Sequence, residues 1–257
     1  MKNSAARYLH LTQSRDEVKS ASVRGIFWSH PLTFFNVFNF SPDTLGIIAT
    51  TLRMSVVSTF ISTVLGTVFG LLLEKNNFPG KRIVVRLCRT LMGMPPVVVG
   101  LIVYLLLMRR GPLGFLRLLF TIEAMVIAQV ILITPIITGM VYIYAVRCAP
   151  SIRVFAKTMG ASRIQTQLLF VREMKGEFYF AVVTAFSRAI SEVGAVMIVG
   201  GNIQNKTRTM TTAISMLRNM GDFSQGITLG ILLLVIAFFL QTLSDLLRKN
   251  ELAEENY

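Results

Sequence analysis

The sequence predicts an all-α integral membrane protein with about five transmembrane helices. Hydrophobic residues make up 53% of the 257 residues, and the mean hydropathy is +0.61. An average soluble domain contains about 45–50% apolar residues even when glycine is counted. The chain also contains five apolar runs of about 20 residues or more, the length that a helix needs to cross the hydrocarbon core of a bilayer.

The five runs define a transmembrane domain over residues 45–248. Pro95-Pro96 interrupts the second run and Pro135 lies inside the third, where neighbouring helices can satisfy the carbonyls that a proline leaves free. Small residues such as Gly66 and Gly70 recur at helical spacing, which predicts close contact between helices. The runs cover residues 45–73, 87–108, 122–146, 178–201 and 227–247.

Arginine and lysine in the short loops predict the orientation, because cytoplasmic loops carry an excess of both. The segments after the first and third runs are the most basic, so we expect both in the cytoplasm together with a short tail at residues 249–257. Five crossings then place the N-terminus outside, although residues 1–44 begin with a basic, polar tail. We interpret residues 26–40 as an interfacial amphipathic segment; a sixth crossing is the alternative.

Charge and motifs exclude several classes of function. The 26 basic and 13 acidic residues give a net charge of +13, which the loop excess explains better than nucleic-acid binding does. Cys88 and Cys148 adjoin cytoplasmic loops, so we expect free thiols, and no spacing suggests a metal site. Gly80-Lys81 lacks the other residues of a phosphate-binding loop. Without a catalytic set either, we predict that the chain is not an enzyme.

The cytoplasmic segment between the third and fourth runs spans about thirty residues, too many for a plain connector. Pro150-Ser151 can begin a short helix with Ser151 as its N-cap, on which Ile152, Phe155, Ala156 and Met159 recur at helical spacing. Gly160 interrupts this pattern, and Ser162 can cap a second helix. The segment is then either a rigid protrusion that a partner grips or a solvated basic loop on anionic lipid.

Two opposite charges lie inside the fourth run. Arg188 and Glu192 are four residues apart, so they share a helix face and can pair. Charges at that depth cost at least about 2.5–3.5 kcal/mol each and usually face a cavity or the interior of a helix bundle. The pair either gates or lines a polar pathway, with Ser191 as an added hydroxyl, or fixes helix packing.

The cytoplasmic segment resembles the EAA loop of ABC importer permeases. Ala156, Gly160 and Ala161 match the loop's core, whereas Val154-Phe155 and Arg172-Glu173 replace its Glu-Ala and Leu-Pro pairs. This resemblance implies the type I ABC importer permease fold and a coupling helix that enters a cleft of an ATP-binding subunit. The implied coupling residues are Ala156, Lys157, Met159, Gly160, Ala161, Ser162 and Arg163.

Three further segments, residues 95–101, 110–114 and 192–203, resemble the molybdate, sulfate and tungstate permeases. The Val-Gly-Gly-Asn run at 199–202 and the threonine-rich segment at 207–214 look most like the tungstate branch. The resemblance implies a translocation pathway or gate and an extracytoplasmic loop. The corresponding residues are Arg188, Ser191, Glu192 and Gly194 for the pathway, and Asn202 and Arg208 for the loop.

The resemblance implies a permease subunit of an ATP-driven oxyanion importer in the cytoplasmic membrane, with tungstate as the expected substrate. Its implied partners are a second copy of the chain, an ATPase dimer that binds ATP and Mg²⁺, and an extracytoplasmic oxyanion-binding protein. This chain itself would hold no cofactor. Molybdate and sulfate remain alternatives. A self-contained carrier predicts inverted repeats, which the sequence does not show, and an intramembrane enzyme requires more deep polar residues.

Overall fold

The computed structural model describes residues 42–254, and this range consists of α-helices and short connections without strands. The predicted tail and interfacial segment before residue 42 lie outside the described residues. A single 3₁₀ turn, Gly114–Leu116, separates the third and fourth helices. The helices are α1 (Pro42–Lys75), α2 (Lys81–Met92), α3 (Pro96–Leu107), α4 (Ile122–Thr158), α5 (Arg163–Glu173), α6 (Lys175–Ile190), α7 (Gly194–Gly200), α8 (Met210–Met220) and α9 (Phe223–Glu254).

The all-α membrane fold is confirmed. Within the described range, α1, α4 and α9 are each long and apolar enough to cross a membrane. Two bent pairs, α2 with α3 and α6 with α7, bring the total to five if each pair forms one crossing. The final helix continues to Glu254, so most of the expected short tail after residue 248 is helical.

The second predicted run is not one continuous helix. The chain bends by 104° between α2 and α3, around Gly93 and Pro95. Proline has no N–H to donate and favours the first turn of a helix. Gly93 caps the end of α2, Pro95 is extended, and Pro96 therefore begins α3.

The third run extends much further than expected, because α4 continues through Pro135 and Pro150 to Thr158. The prediction of a new helix at Pro150-Ser151 was therefore wrong, and the Ser151 hydroxyl donates to the Cys148 carbonyl at 2.9 Å. Burial of Ile152 and Ala156 against the rest of the bundle stabilises the helix beyond the proline.

Close contact between α1 and α4 forms the centre of the bundle. A Cβ atom built on Gly66 would lie 2.7 Å from Ile137 Cβ, and one on Gly70 would lie 2.9 Å from Val141 Cβ. Neither position has room for a larger side chain, which confirms the predicted packing of small residues. The face of α1 toward the bundle is also lined by buried serines, namely Ser55, Ser58 and Ser62.

Polar contacts at the two ends of α1 define the two sides of the bundle. At one end, Gln204 donates to Asp43 at 3.0 Å. At the other end, Arg153 binds both carboxylate oxygens of Glu74, at 2.8 and 2.9 Å. The connection between α7 and α8 therefore lies opposite to the connection between α4 and α5.

Candidate functional site

The first candidate site is the hairpin formed by the end of α4 and by α5, residues 150–173, here called the coupling hairpin. Gly160 adopts a left-handed φ of +64°, which turns the chain between the two helices. The Ser162 hydroxyl accepts from the Gln165 N–H at 3.3 Å, and the Gln165 side chain accepts from the Ser162 N–H at 2.8 Å. This capping box confirms the predicted break at Gly160 and the cap at Ser162.

Apolar side chains on the outside of the coupling hairpin form an exposed patch, here called the coupling surface. The expected apolar face of α4 is divided, because Ile152 and Ala156 are buried whereas Phe155 and Met159 point outward. Large exposed apolar side chains that cluster together are typical of protein interaction sites. The coupling surface consists of Val154, Phe155, Met159, Ile164 and Leu168.

The remaining predicted coupling residues lie around the turn. Lys157 and Ser162 are exposed, Ala161 is half-buried, and Arg163 begins α5. The Ala161 N–H donates to the Ala156 carbonyl at 2.9 Å, which closes the turn around Gly160. The structure thus brings these residues together in one compact, well-capped element.

The second candidate site lies where α6 meets α7. The predicted fourth run is divided there, and the two helices differ in direction by 55°. Arg188 Nη1 lies 3.0 Å from Glu192 Oε2, so the predicted ion pair is confirmed. The Glu192 side chain is only 1% exposed, whereas that of Arg188 is 35% exposed.

Glu192 also connects three helices. Its Oε1 accepts from the Ala195 N–H at 3.1 Å in the first turn of α7. Its backbone carbonyl accepts from the Thr211 hydroxyl at 2.8 Å. This bond links α8 to the junction between α6 and α7, here called the Glu192 break. Each oxygen of the buried carboxylate therefore has a partner, Arg188 for Oε2 and the Ala195 N–H for Oε1. A charge in the bundle interior requires such partners.

The neighbouring pathway residues have different environments. Ser191 is exposed, and its hydroxyl donates within the chain, to the carbonyls of Ser187 and Arg188. Gly194 lies against α3, where a Cβ atom would come within 2.9 Å of Val97 Cγ2. The site thus combines a partly exposed cation, a buried anion and a closely packed backbone, an arrangement that can attract an oxyanion but contains no catalytic nucleophile.

A buried glutamine beneath this site was missed from the sequence. Gln129 is fully buried in α4, and its Nε2 donates to the Ala189 carbonyl at 2.8 Å. Its Oε1 accepts from the Ser58 hydroxyl at 2.6 Å, so one side chain joins α1, α4 and α6. Its only sequence signal is an amide in an otherwise apolar run.

The predicted extracytoplasmic residues lie in the loop between α7 and α8. Asn202 has a left-handed φ of 52° directly after Gly201, and Arg208 precedes the N-cap of α8. Threonines order this loop. Thr207 donates to the Gly200 carbonyl at 2.6 Å, and Thr51 of α1 accepts from the Met210 N–H at 2.9 Å.

A membrane-spanning bundle with a capped hairpin at one end and an ion pair at a broken helix is typical of a transport subunit. Residues 66–250 match the family model described as "Binding-protein-dependent transport system inner membrane component". The match covers more than half of the chain, and the protein belongs to this family, whose members function with an ATPase and a substrate-binding protein.

Curated relatives extend the comparison. The tungstate uptake system permease protein TupB of Peptoclostridium acidaminophilum is 44% identical over 200 residues, which cover 78% of this chain and 88% of the relative. TupB of Campylobacter jejuni is 35% identical over 224 residues, covering 87% and 94%. The sulfate transport system permease protein CysW of Synechocystis is 30% identical over 173 residues, covering 62% of each chain.

Solved structures support the fold. A chain of a bacterial ABC transporter involved in alginate import superposes with a TM-score of 0.69 at 15% identity, over 97% of this chain and 96% of that one. A chain of the MetNI methionine ABC transporter, in an inward-facing conformation, gives a TM-score of 0.64 at 16% identity, over 82% and 99%. Both are chains of ABC transporters, and the likeness establishes the type I permease fold.

Proposed function

We propose that this protein is the permease subunit of an ATP-driven tungstate importer in the cytoplasmic membrane, and that two copies form the translocation pathway. The substrate assignment is carried by the similarity to the two tungstate uptake permeases, which extends over at least 78% of this chain. Two of the segments that resemble oxyanion permeases, residues 95–101 and 192–203, contact each other, because Gly194 lies against Val97 and Gly100 lies against Ala195.

The coupling surface is the docking site for the ATPase. Its apolar side chains are exposed. The Ser162 capping box fixes the start of α5 beside them, so the hairpin that carries them is rigid. A rigid element transmits displacement better than a flexible loop does, and α4 continues from the hairpin to the far side of the membrane. When the ATPase closes on ATP, the hairpin therefore moves together with α4.

Movement of α4 reaches the ion pair through Gln129. This side chain links α4 to α1 and to the Ala189 carbonyl, next to Arg188 in α6. Alternating access requires two states that differ little in free energy and that partners bias in turn. Tilting α6 against α7 at the Glu192 break supplies such a pair of states.

The Arg188–Glu192 pair sets the charge of the pathway. Arg188 is partly exposed and attracts an anion, while the buried Glu192 carboxylate offsets part of its charge. An oxyanion then binds weakly enough to leave on the cytoplasmic side, a condition for conduction through any pore. Selectivity between similar oxyanions rests mainly with the extracytoplasmic binding protein.

Sulfate transport is the second candidate, because CysW of Synechocystis is 30% identical to this chain. The lower coverage of that match, 62% of this chain, favours tungstate. Molybdate has the same charge and tetrahedral geometry as tungstate, so the permease residues do not distinguish between them.

ATPase activity in proteoliposomes tests the proposal. The chain is reconstituted with its ATPase and binding protein, and tungstate, molybdate and sulfate are added separately. Stimulation by tungstate at the lowest concentration supports the assignment, and equal stimulation by all three anions overturns the tungstate specificity alone. Failure to form a complex with an ATPase would overturn the coupled-permease mechanism.

A further inference from the structure

Helix α2 has three distinct faces. Arg82, Arg86 and Arg89 follow one another at spacings of four and three residues, so they share one face, and all three are exposed. Ile83 and Leu87 lie on a second face and are 71% and 56% exposed. The third face carries half-buried side chains, among them Val85, Cys88 and Met92.

The position of α2 is fixed relative to the membrane by its neighbours. It is bent by 104° from α3, so an α3 that enters the membrane along its normal places α2 nearly parallel to the bilayer plane. At its first residue, Lys81 Nζ donates to the Glu74 carbonyl at 3.2 Å and lies 5.9 Å from the ring centre of Tyr142. Because Glu74 also binds Arg153, α2 lies on the same side as the coupling hairpin.

We propose that α2 lies in the water–hydrocarbon interface of the cytoplasmic leaflet and binds acidic phospholipids. Ile83 and Leu87 enter the acyl region, and the three arginines contact headgroup phosphates. In-plane helices with one apolar and one basic face bind anionic leaflets in this way. This inference does not depend on which anion the permease transports.

A basic groove beside α2 provides a place for a headgroup. It has a volume of about 870 Å³ and opens between the helix, the turn before it and α4. The charge of the groove is complementary to a phosphate, since four of its lining residues are cationic. Those residues are Lys81, Arg82, Arg86 and Arg89.

The contacts of α2 connect this surface to the translocation site. Met92, at its end, contacts α4 where Gly139 leaves room for the sulfur. After the bend, Gly100 of α3 lies so close to α7 that a Cβ atom would come within 2.7 Å of Ala195 Cα. A lipid-bound α2 therefore holds the start of α3 at a fixed position against the Glu192 break.

Quenching of a tryptophan by brominated lipids tests the proposal on the full-length chain. Leu87→Trp is introduced together with Trp28→Phe, so that the reporter is the single tryptophan. The protein is reconstituted in phosphatidylcholine bilayers that contain dibrominated phosphatidylglycerol or dibrominated phosphatidylcholine. One arginine near an anionic surface contributes a factor of about five, so we expect at least a fivefold preference for phosphatidylglycerol.

The triple variant Arg82→Gln, Arg86→Gln, Arg89→Gln should reduce this preference to about one while quenching by phosphatidylcholine persists. The matched control removes three exposed arginines from the opposite side of the membrane, Arg109, Arg110 and Arg117, and should keep the preference. Elution as a single species in gel filtration verifies that each variant is folded.

Two results overturn the proposal. Equal quenching by both lipids in the unmodified background shows that α2 touches the membrane without selecting acidic headgroups. Absence of quenching by either lipid shows that the apolar face of α2 is covered by protein, namely by a second copy of the chain or by the ATPase.

Discussion

At the scale of single residues, the buried amide of Gln129 joins three helices, as many as Glu192 does. Gln129→Leu removes two buried hydrogen bonds, the one from the Ser58 hydroxyl and the one to the Ala189 carbonyl. Each contributes about 0.5–1.5 kcal/mol to stability. We therefore expect a lower Tm in detergent for Gln129→Leu, whereas Gln225→Leu, at an exposed position, should leave the Tm unchanged.

The Glu192→Gln substitution separates a pathway role from a packing role. Glutamine can still accept from the Ala195 N–H, but the charge that balances Arg188 is lost. A hydrogen bond to a charged group is worth about 1.5–3 kcal/mol, so we expect transport per folded molecule to change by about tenfold or more. The measurement is uptake by proteoliposomes normalised to folded protein.

The double variant Arg188→Gln, Glu192→Gln is the control for that experiment. Replacing both members of a buried pair often restores stability, because neither charge is left alone. If the pair belongs to the pathway, the double variant recovers its Tm but not its transport. Recovery of both would assign the pair to helix packing.

At the scale of helices, the contact between α1 and α4 depends on two glycines. Gly66→Ala forces a methyl group to within 2.7 Å of Ile137 Cβ, so the helices must separate, and we expect a clear decrease in Tm. Gly46→Ala is the matched control on the same helix, since nothing lies within 4 Å of its added Cβ atom. Alanine favours a helix over glycine by about 1 kcal/mol, so the control should be neutral or stabilising.

The coupling hairpin requires its left-handed turn. Proline cannot adopt the φ of +64° found at Gly160, because its ring fixes φ near −65°. Gly160→Pro should abolish co-purification of the ATPase while the chain still inserts into the membrane. Gly221→Pro imposes the same strain at a φ of +80° on the other side of the bundle, and should leave co-purification intact.

Local signals made part of these elements predictable. A glycine at the end of an apolar pattern followed by a serine and, three residues later, a glutamine is enough to predict the turn at Gly160 and the cap at Ser162. The continuation of α4 through Pro150 was not predictable, because tertiary burial of Ile152 and Ala156 opposes the local effect of the proline. The same holds for Gln129, whose partners are distant in sequence.

At the scale of the whole molecule, the outer helices expose a large apolar surface, as a membrane protein does. Only 6% of the membrane-spanning window of α9 is buried. Phe238 and Phe239 are among the exposed side chains of this helix. In the bilayer these side chains contact lipid or a second copy of the chain. Exposure of this kind costs nothing in lipid, because acyl chains are as apolar as the side chains themselves.

The orientation of the bundle is the last prediction. The contact between Glu74 and Arg153 places the two most basic connections on one side, and the excess of positive charge assigns this side to the cytoplasm. In a Cys88→Ser, Cys148→Ser background, a membrane-impermeant maleimide should label Asn205→Cys in intact cells. It should label Met159→Cys only after the membrane has been permeabilised.

Both positions are suitable for labelling because both are exposed, Asn205 in the loop before α8 and Met159 at the turn of the coupling hairpin. The reverse labelling pattern would place the hairpin outside the cell. ATP is available in the cytoplasm, so an ATPase could not act on a hairpin in that position. The orientation experiment therefore tests the coupling mechanism as well as the topology, and it does so without knowledge of the transported anion.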